Sequence, residues 1–266
     1  MSWLRSYLAL LRGSYMVGMI YRYGFFFTIL GNIVYLGVTY YLWRSIYHSA
    51  NLIHGLTFDQ TYLYVALGSA VFILLKTYAD WIISYEIREG TIAVYLTKPV
   101  DYQLYALFTS LGSVLMNLTA ITLPTILLLA FVFKVHVGTG PGLAAFPFSL
   151  VFAFMISFNF DYLIGLMAFY NESIWGLTIT KEVIITTLSG ALIPLQFFPQ
   201  VLQKILFILP FQAIYYTPLT MVTQPDQDWP AYMQMLAMQL FWVVTTFILT
   251  RLVYNQAVKV LRVSGG

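Results

Sequence analysis

Long apolar runs dominate the chain, and short polar islands separate them. No Asp, Glu, Lys or Arg occurs over 23–43, 102–133, 183–203 or 229–250. A helix needs about 20 apolar residues to cross the hydrocarbon core of a bilayer. The runs predict six spans, near 24–43, 61–83, 103–133, 144–169, 182–198 and 231–253. The third is longer than one crossing and contains Pro124, so it tilts, kinks or begins as a surface segment. A transmembrane barrel would instead alternate apolar and polar positions in segments of about ten residues.

The remaining segments read differently. Over residues 2–22, Trp3, Leu4, Tyr7, Leu8, Leu11 and Tyr15 form one apolar face edged by Arg5 and Arg12. That spacing predicts an amphipathic helix on the membrane surface, because three arginines, Arg5, Arg12 and Arg22, are costly inside hydrocarbon. The glycines and proline of KVHVGTGPG, 134–142, predict a turn. Residues 199–225 are apolar, but Pro199, Pro210, Pro218 and Pro225 interrupt them. With Pro194 ahead of them, they predict short helices that enter the outer leaflet and return, packed against protein. Within this region a helix over 197–209 is expected to bury Val201, Ile205 and Ile208 and to turn Lys204 outward.

Composition supports this class. The chain is 60% hydrophobic and only 9% charged, with a mean hydropathy of +0.80, against about 25% charged for soluble domains. The expected fold is a single all-α integral membrane domain over 1–266 with no cleaved leader. The net charge of +3 does not point to nucleic acid, because the basic residues fall near span ends. With six crossings and an inner N-terminus, ten of the thirteen Lys and Arg lie inside, and only Arg44, Lys134 and Lys204 lie outside. This asymmetry predicts cytoplasmic termini.

Chemistry-bearing motifs are few. There is no GxxxxGK[ST] phosphate loop and no HExxH, and there is no cysteine. The chain is therefore expected to catalyse nothing by itself and to hold no metal. His48, His54 and His136 fall in expected outer loops. Intramembrane polar residues are the other candidates. Asp161, in SFNFDYLIG, marks either a transport path or structural glue bonded through Asn159 or Tyr162. Lys76 and Asp80, four apart, are expected to pair on one helix face. Lys181 and Glu182 read as interfacial anchors.

One polar island stands out. EIREGTIAVYLTKPVD, Glu86 to Asp101, holds five of the chain's 23 charged residues between two apolar runs. A chain so poor in charge places it where water or a soluble partner is met, so 84–101 is expected to be a contact surface.

Two blocks carry a family resemblance. REGTIAVYLTKPV, Arg88 to Val100, resembles the segment between the second and third spans of type-2 ABC exporter permeases. LSGALIPLQFFPQVLQKILFILPFQAIYYTP, Leu188 to Pro218, resembles that family's fifth span and outer re-entrant helices. The subgroup it is most similar to is bacterial, often working as two permeases. The resemblance implies that Glu86, Arg88, Glu89, Gly90, Thr91 and Lys98 dock on a cytoplasmic ATPase subunit. That partner would bind ATP and Mg, a second permease would complete the path, and the setting would be the bacterial inner membrane. By analogy the substrate is a lipid, glycan, peptide or hydrophobic drug-like molecule. An ion-coupled secondary transporter using Asp161 and Lys76 is the rival reading. An intramembrane enzyme or a purely structural assembly factor ranks below both, because no His, Asp or Ser constellation converges for catalysis.

Overall fold

The structure, a computed structural model, describes residues 2–20, 22–49, 51–131 and 139–260. Lys134, His136 and Arg262, and most of the turn expected over 134–142, lie outside the described residues. The twelve α-helices among the described residues are α1 (Ser2–Ile20), α2 (Arg22–Ile46), α3 (Phe58–Leu75), α4 (Ala79–Arg88), α5 (Ile92–Leu96) and α6 (Tyr102–Asn117), followed by α7 (Leu123–Phe131), α8 (Pro141–Leu166), α9 (Trp175–Leu188), α10 (Gln200–Leu206), α11 (Tyr216–Thr223) and α12 (Trp229–Ala257). Five helical stretches are long and apolar enough to cross a membrane: Tyr23–Ser49, Phe58–Arg88, Tyr102–Phe131, Pro141–Phe169 and Trp229–Ala257.

Local chemistry sets the helix ends. Thr57 and Gln60 form a reciprocal capping box at the start of α3. The Asp101 carboxylate accepts from the Leu104 N–H at 3.1 Å and caps α6. Pro141 opens α8, where its missing N–H has no intrahelical role. α3 and α8 form the centre of the bundle. α12, α4 and α11 pack on α8, while α2 and α11 pack on α3.

Two predicted spans are interrupted rather than continuous. The run 61–83 is broken at Lys76–Tyr78, and Tyr78 is in the left-handed region at φ 54°. The Asn117 side-chain amide donates at 3.0 Å to both the Ile73 and Lys76 carbonyls at the break, and the Ile73 carbonyl also accepts from the Lys76 N–H at 3.4 Å. The long third run is one helical stretch with a π-turn over Leu118–Thr122. Pro124 explains it: with no N–H, it cannot bond the carbonyl four residues back, and the ladder widens there.

The fifth predicted span differs most. In place of 182–198 the structure has α9, which starts at Trp175 and ends at Leu188. Gly190, at φ 79°, turns the chain just past that end. Fourteen residues make a helix of about 21 Å, too short alone for a hydrocarbon core of about 30 Å.

Residues 199–225 form no single helix. α10, a 3-10 turn over Pro210–Ala213 and α11 follow one another. The stripe expected to be buried is not: Val201, Ile205 and Ile208 are 76%, 52% and 67% exposed. Leu206 is buried instead. The Gln203 amide donates to the Gln196 and Phe198 carbonyls at 3.1 and 2.7 Å, which turns the Leu202–Leu206 side inward. Lys204 is exposed.

α1 packs along α6. Tyr7 stacks on Phe108 at 5.1 Å, and the Tyr7 hydroxyl accepts from the Asp101 N–H at 3.1 Å. Contact is closest at Gly112, where a Cβ would strike the Leu11 carbonyl and the Ser14 side chain. Arg5 and Arg12 stay exposed, as do Leu4, Leu8, Met16 and Val17. Replacing Gly112 with leucine should therefore push α1 off α6. Overpacking of this kind costs about 1–3 kcal/mol, so thermal melting of the purified protein should fall by several degrees. An unchanged melt would show that α1 is not held there.

Candidate functional site

The polar island closes the turn between α4 and α6. Its exposed tip carries Arg88, Glu89, Gly90, Thr91, Val94, Thr97 and Lys98, while Ile92 inserts into the core. Glu86 does not join that tip and is 8% exposed. Its carboxylate accepts from the Tyr102 hydroxyl at 2.6 Å and the Tyr105 hydroxyl at 3.0 Å. Tyr105 has one proton and gives it to Glu86, so the 2.9 Å contact with Tyr95 has Tyr95 as donor. The chain Tyr95–Tyr105–Glu86–Tyr102 thus joins α5, α6 and α4. Glu86 was expected on the contact surface, but its position on α4 turns it toward α6, and it holds the turn from inside.

The far end of the island is tied as well. The other Asp101 oxygen meets the Arg251 guanidinium of α12 at 2.6 Å, and Arg251 lies over the Tyr254 ring at 5.6 Å. Next to it, the Gln103 amide donates to the Thr250 hydroxyl at 2.9 Å. Tyr102 stacks on Tyr254 with ring centroids 6.1 Å apart. The tip therefore stands on a base that includes α4, α6 and α12, with α1 joined through Tyr7.

A second constellation sits at the α3–α4 break. Lys76 and Asp80 do not pair with each other, because the break separates their helices. Lys76 meets Glu182 of α9 at 2.8 Å and lies over the Phe72 and Tyr78 rings. Asp80 meets Lys181 of α9 at 2.8 Å. Lys181 also bonds Asp161 of α8, whose other oxygen accepts from the Thr77 hydroxyl at 2.8 Å. Lys181 and Glu182, read from sequence as interfacial anchors, are the α9 half of this cluster. A cavity of about 70 Å³ adjoins it, lined in part by Thr178, Tyr215 and Trp81.

Asn159 stands apart from this cluster. Its amide donates to the Thr246 hydroxyl at 2.9 Å and joins α8 to α12. Asp161 bonds Thr77 and Lys181 rather than Asn159 or Tyr162. Pro194 precedes a 3-10 turn, Pro199 caps α10, and Pro210 starts the next 3-10 turn. His48 and His54 lie between α2 and α3. Among the described residues no group of three His, Cys, Asp or Glu is placed to hold a metal. Sequence reasoning missed the roles of Thr77, Asn117, Tyr102 and Tyr105. Only an Asp or Lys in an apolar run marks this chemistry locally, and a Thr, Asn or Tyr there is ordinary.

Removing one partner of a buried ion pair strands the other, at a cost of about 3–5 kcal/mol. Lys181→Met should lower the melting temperature sharply by leaving Asp80 and Asp161 facing each other. Adding Asp80→Asn and Asp161→Asn to Lys181→Met should restore most of the loss. Additive losses in the triple variant would show that the three side chains are not coupled.

The family model described as ABC-2 family transporter protein matches residues 33–265, nearly the whole chain. Comparison with curated proteins gives no match. The match takes in α3 to α12, both constellations and the proline-broken segment, and it agrees with a bundle of long apolar helices. The chain therefore belongs to the ABC-2 family of transporter proteins, as a multi-pass membrane permease of the type-2 ABC class.

Proposed function

We propose that this chain is the membrane subunit of an ATP-driven exporter and that the tip between α4 and α6 docks on a cytoplasmic ATPase. One observation carries the reading. The tip is exposed and charged, and its base is fixed by the buried Glu86–tyrosine chain and the Asp101–Arg251 pair. A push on Arg88, Glu89, Gly90, Thr91 or Lys98 would reach α4, α6 and α12 without being lost in a flexible loop. The ATPase would bind ATP and Mg, and this chain would catalyse no reaction of its own.

The same reading has six crossings. α9, extended by the proline-broken segment, would be the fifth, with α10 and α11 as re-entrant elements in the outer leaflet. Both termini and the tip would be cytoplasmic, and α1 would lie on the inner membrane surface. A second permease, identical or related, would complete the path. The exposed apolar side chains of α2, among them Phe26, Phe27, Val34, Val38 and Tyr41, leave surface for it or for lipid. Outward transport and a bacterial inner membrane rest on the family resemblance. The Asp161 cluster favours one alternative, an ion-coupled carrier, which would need no ATPase.

Two measurements test the proposal. Purification from its own membranes should bring down a nucleotide-binding subunit. Arg88→Ala with Lys98→Ala should weaken that association about tenfold, equivalent to about 1.4 kcal/mol, while the chain still inserts. Recovery without any ATPase would favour the carrier. The chain has no cysteine, so single cysteines report sidedness. With an impermeant reagent on intact cells, His54→Cys should label and Glu89→Cys should not, and the reverse pattern would overturn the topology.

A further inference from the structure

The cluster at the α3–α4 break is unbalanced in charge. Lys76 and Glu182 cancel at its rim, where both side chains are about one-third exposed. Inside them, Asp80 and Asp161 share the single ammonium of Lys181, and these three side chains are only 2%, 11% and 13% exposed. Among the described residues the other titratable groups lining the cavity are Tyr78 and Tyr215, which supply no positive charge. Two carboxylates against one ammonium leave one negative charge among packed helices. Burying an uncompensated charge is costly, and such a group commonly neutralises instead.

We propose that this cluster is a proton-binding site, with one proton held on Asp161 while Asp80 remains the ionised partner of Lys181. The hydrogen-bond partners distinguish the two aspartates. The second oxygen of Asp80 accepts from the Trp81 backbone N–H at 2.9 Å, a group that can only donate. That contact requires a lone pair and suits the carboxylate. The second oxygen of Asp161 faces the Thr77 hydroxyl at 2.8 Å, and a hydroxyl can also accept. Asp161 as an acid can donate to Thr77 with no change in position.

A second observation points to the same place. Thr178, which lines the cavity, is 4% exposed, and its hydroxyl has no protein partner among the described residues. With a cavity of about 70 Å³ beside it, it is a polar group positioned to meet a proton or the water that delivers one. The site also sits where α4 is tied to α8 and α9. The proton would keep that tie neutral, and its loss would leave two carboxylates repelling each other across one lysine. The site therefore bears on the attachment of the helix that carries the docking tip.

The test uses the full-length permease alone in lipid, so it does not depend on whether an ATPase docks. Infrared spectra of protein labelled with ¹³C-carboxyl aspartate should show a protonated carboxylic band at neutral pH, lost as the pH is raised. Asp161→Asn should abolish it. Asp80→Asn should abolish it too, because Lys181 then neutralises Asp161 by itself. Glu182→Gln, at the rim, should leave it in place. Absence of a labelled acid band in the wild type would overturn the proposal. So would a band that persists in Asp80→Asn, which would mean that burial of Asp161 alone holds the proton.

Discussion

Backbone that leaves the helix inside an apolar bundle must find its hydrogen bonds within the protein, and this constraint governs the centre of the structure. At Lys76–Tyr78 the chain does so. Asn117 reaches across from α6 to bond two carbonyls at the break, and Thr77 turns its hydroxyl to Asp161. Remove these partners and the break would close into continuous helix or open to water. Because they come from α6 and α8, the break also fixes where those helices stand. The direction of α4, and so the position of the exposed tip, follows from it.

The ionic cluster and the tyrosine chain stabilise the two ends of α4 by different means. At its start, charges from α8 and α9 converge on Asp80, α9 through Lys181 directly and α8 through Asp161 by way of that lysine. At its end, Glu86 is held by neutral hydroxyl donors from α6. Charge-assisted bonds are stronger and more directional, but they depend on every charge being matched. The tyrosine network is less sensitive to such imbalance. α4 is thus joined by charges at one end and by an aromatic shell at the other.

Family membership and geometry contribute different parts of the functional reading. The ABC-2 match identifies the class of permease. It does not say which side chains of the tip face outward. That distinction comes from the burial of Glu86 beside the exposure of Arg88, Glu89 and Lys98.

The sequence by itself determined the membrane class and most of the long helices, because hydrocarbon thickness imposes a length that charge-free runs reveal directly. It also placed the polar island between the second and third spans, and the short helices after Pro199, where each proline removes a donor. Tertiary structure alone decided the rest. No Gly or Pro marks the break in KTYAD, since its cause is a set of partners on α6, α8 and α9. The i, i+4 spacing of Lys76 and Asp80 predicted a pair only while one helix was assumed to contain both. The inward face of α10 was set by Gln203 bonding to local carbonyls, against the apolar pattern of Val201, Ile205 and Ile208. Periodicity records what a helix can bury. Which face it does bury, and which charges meet, depend on neighbours that are distant in sequence.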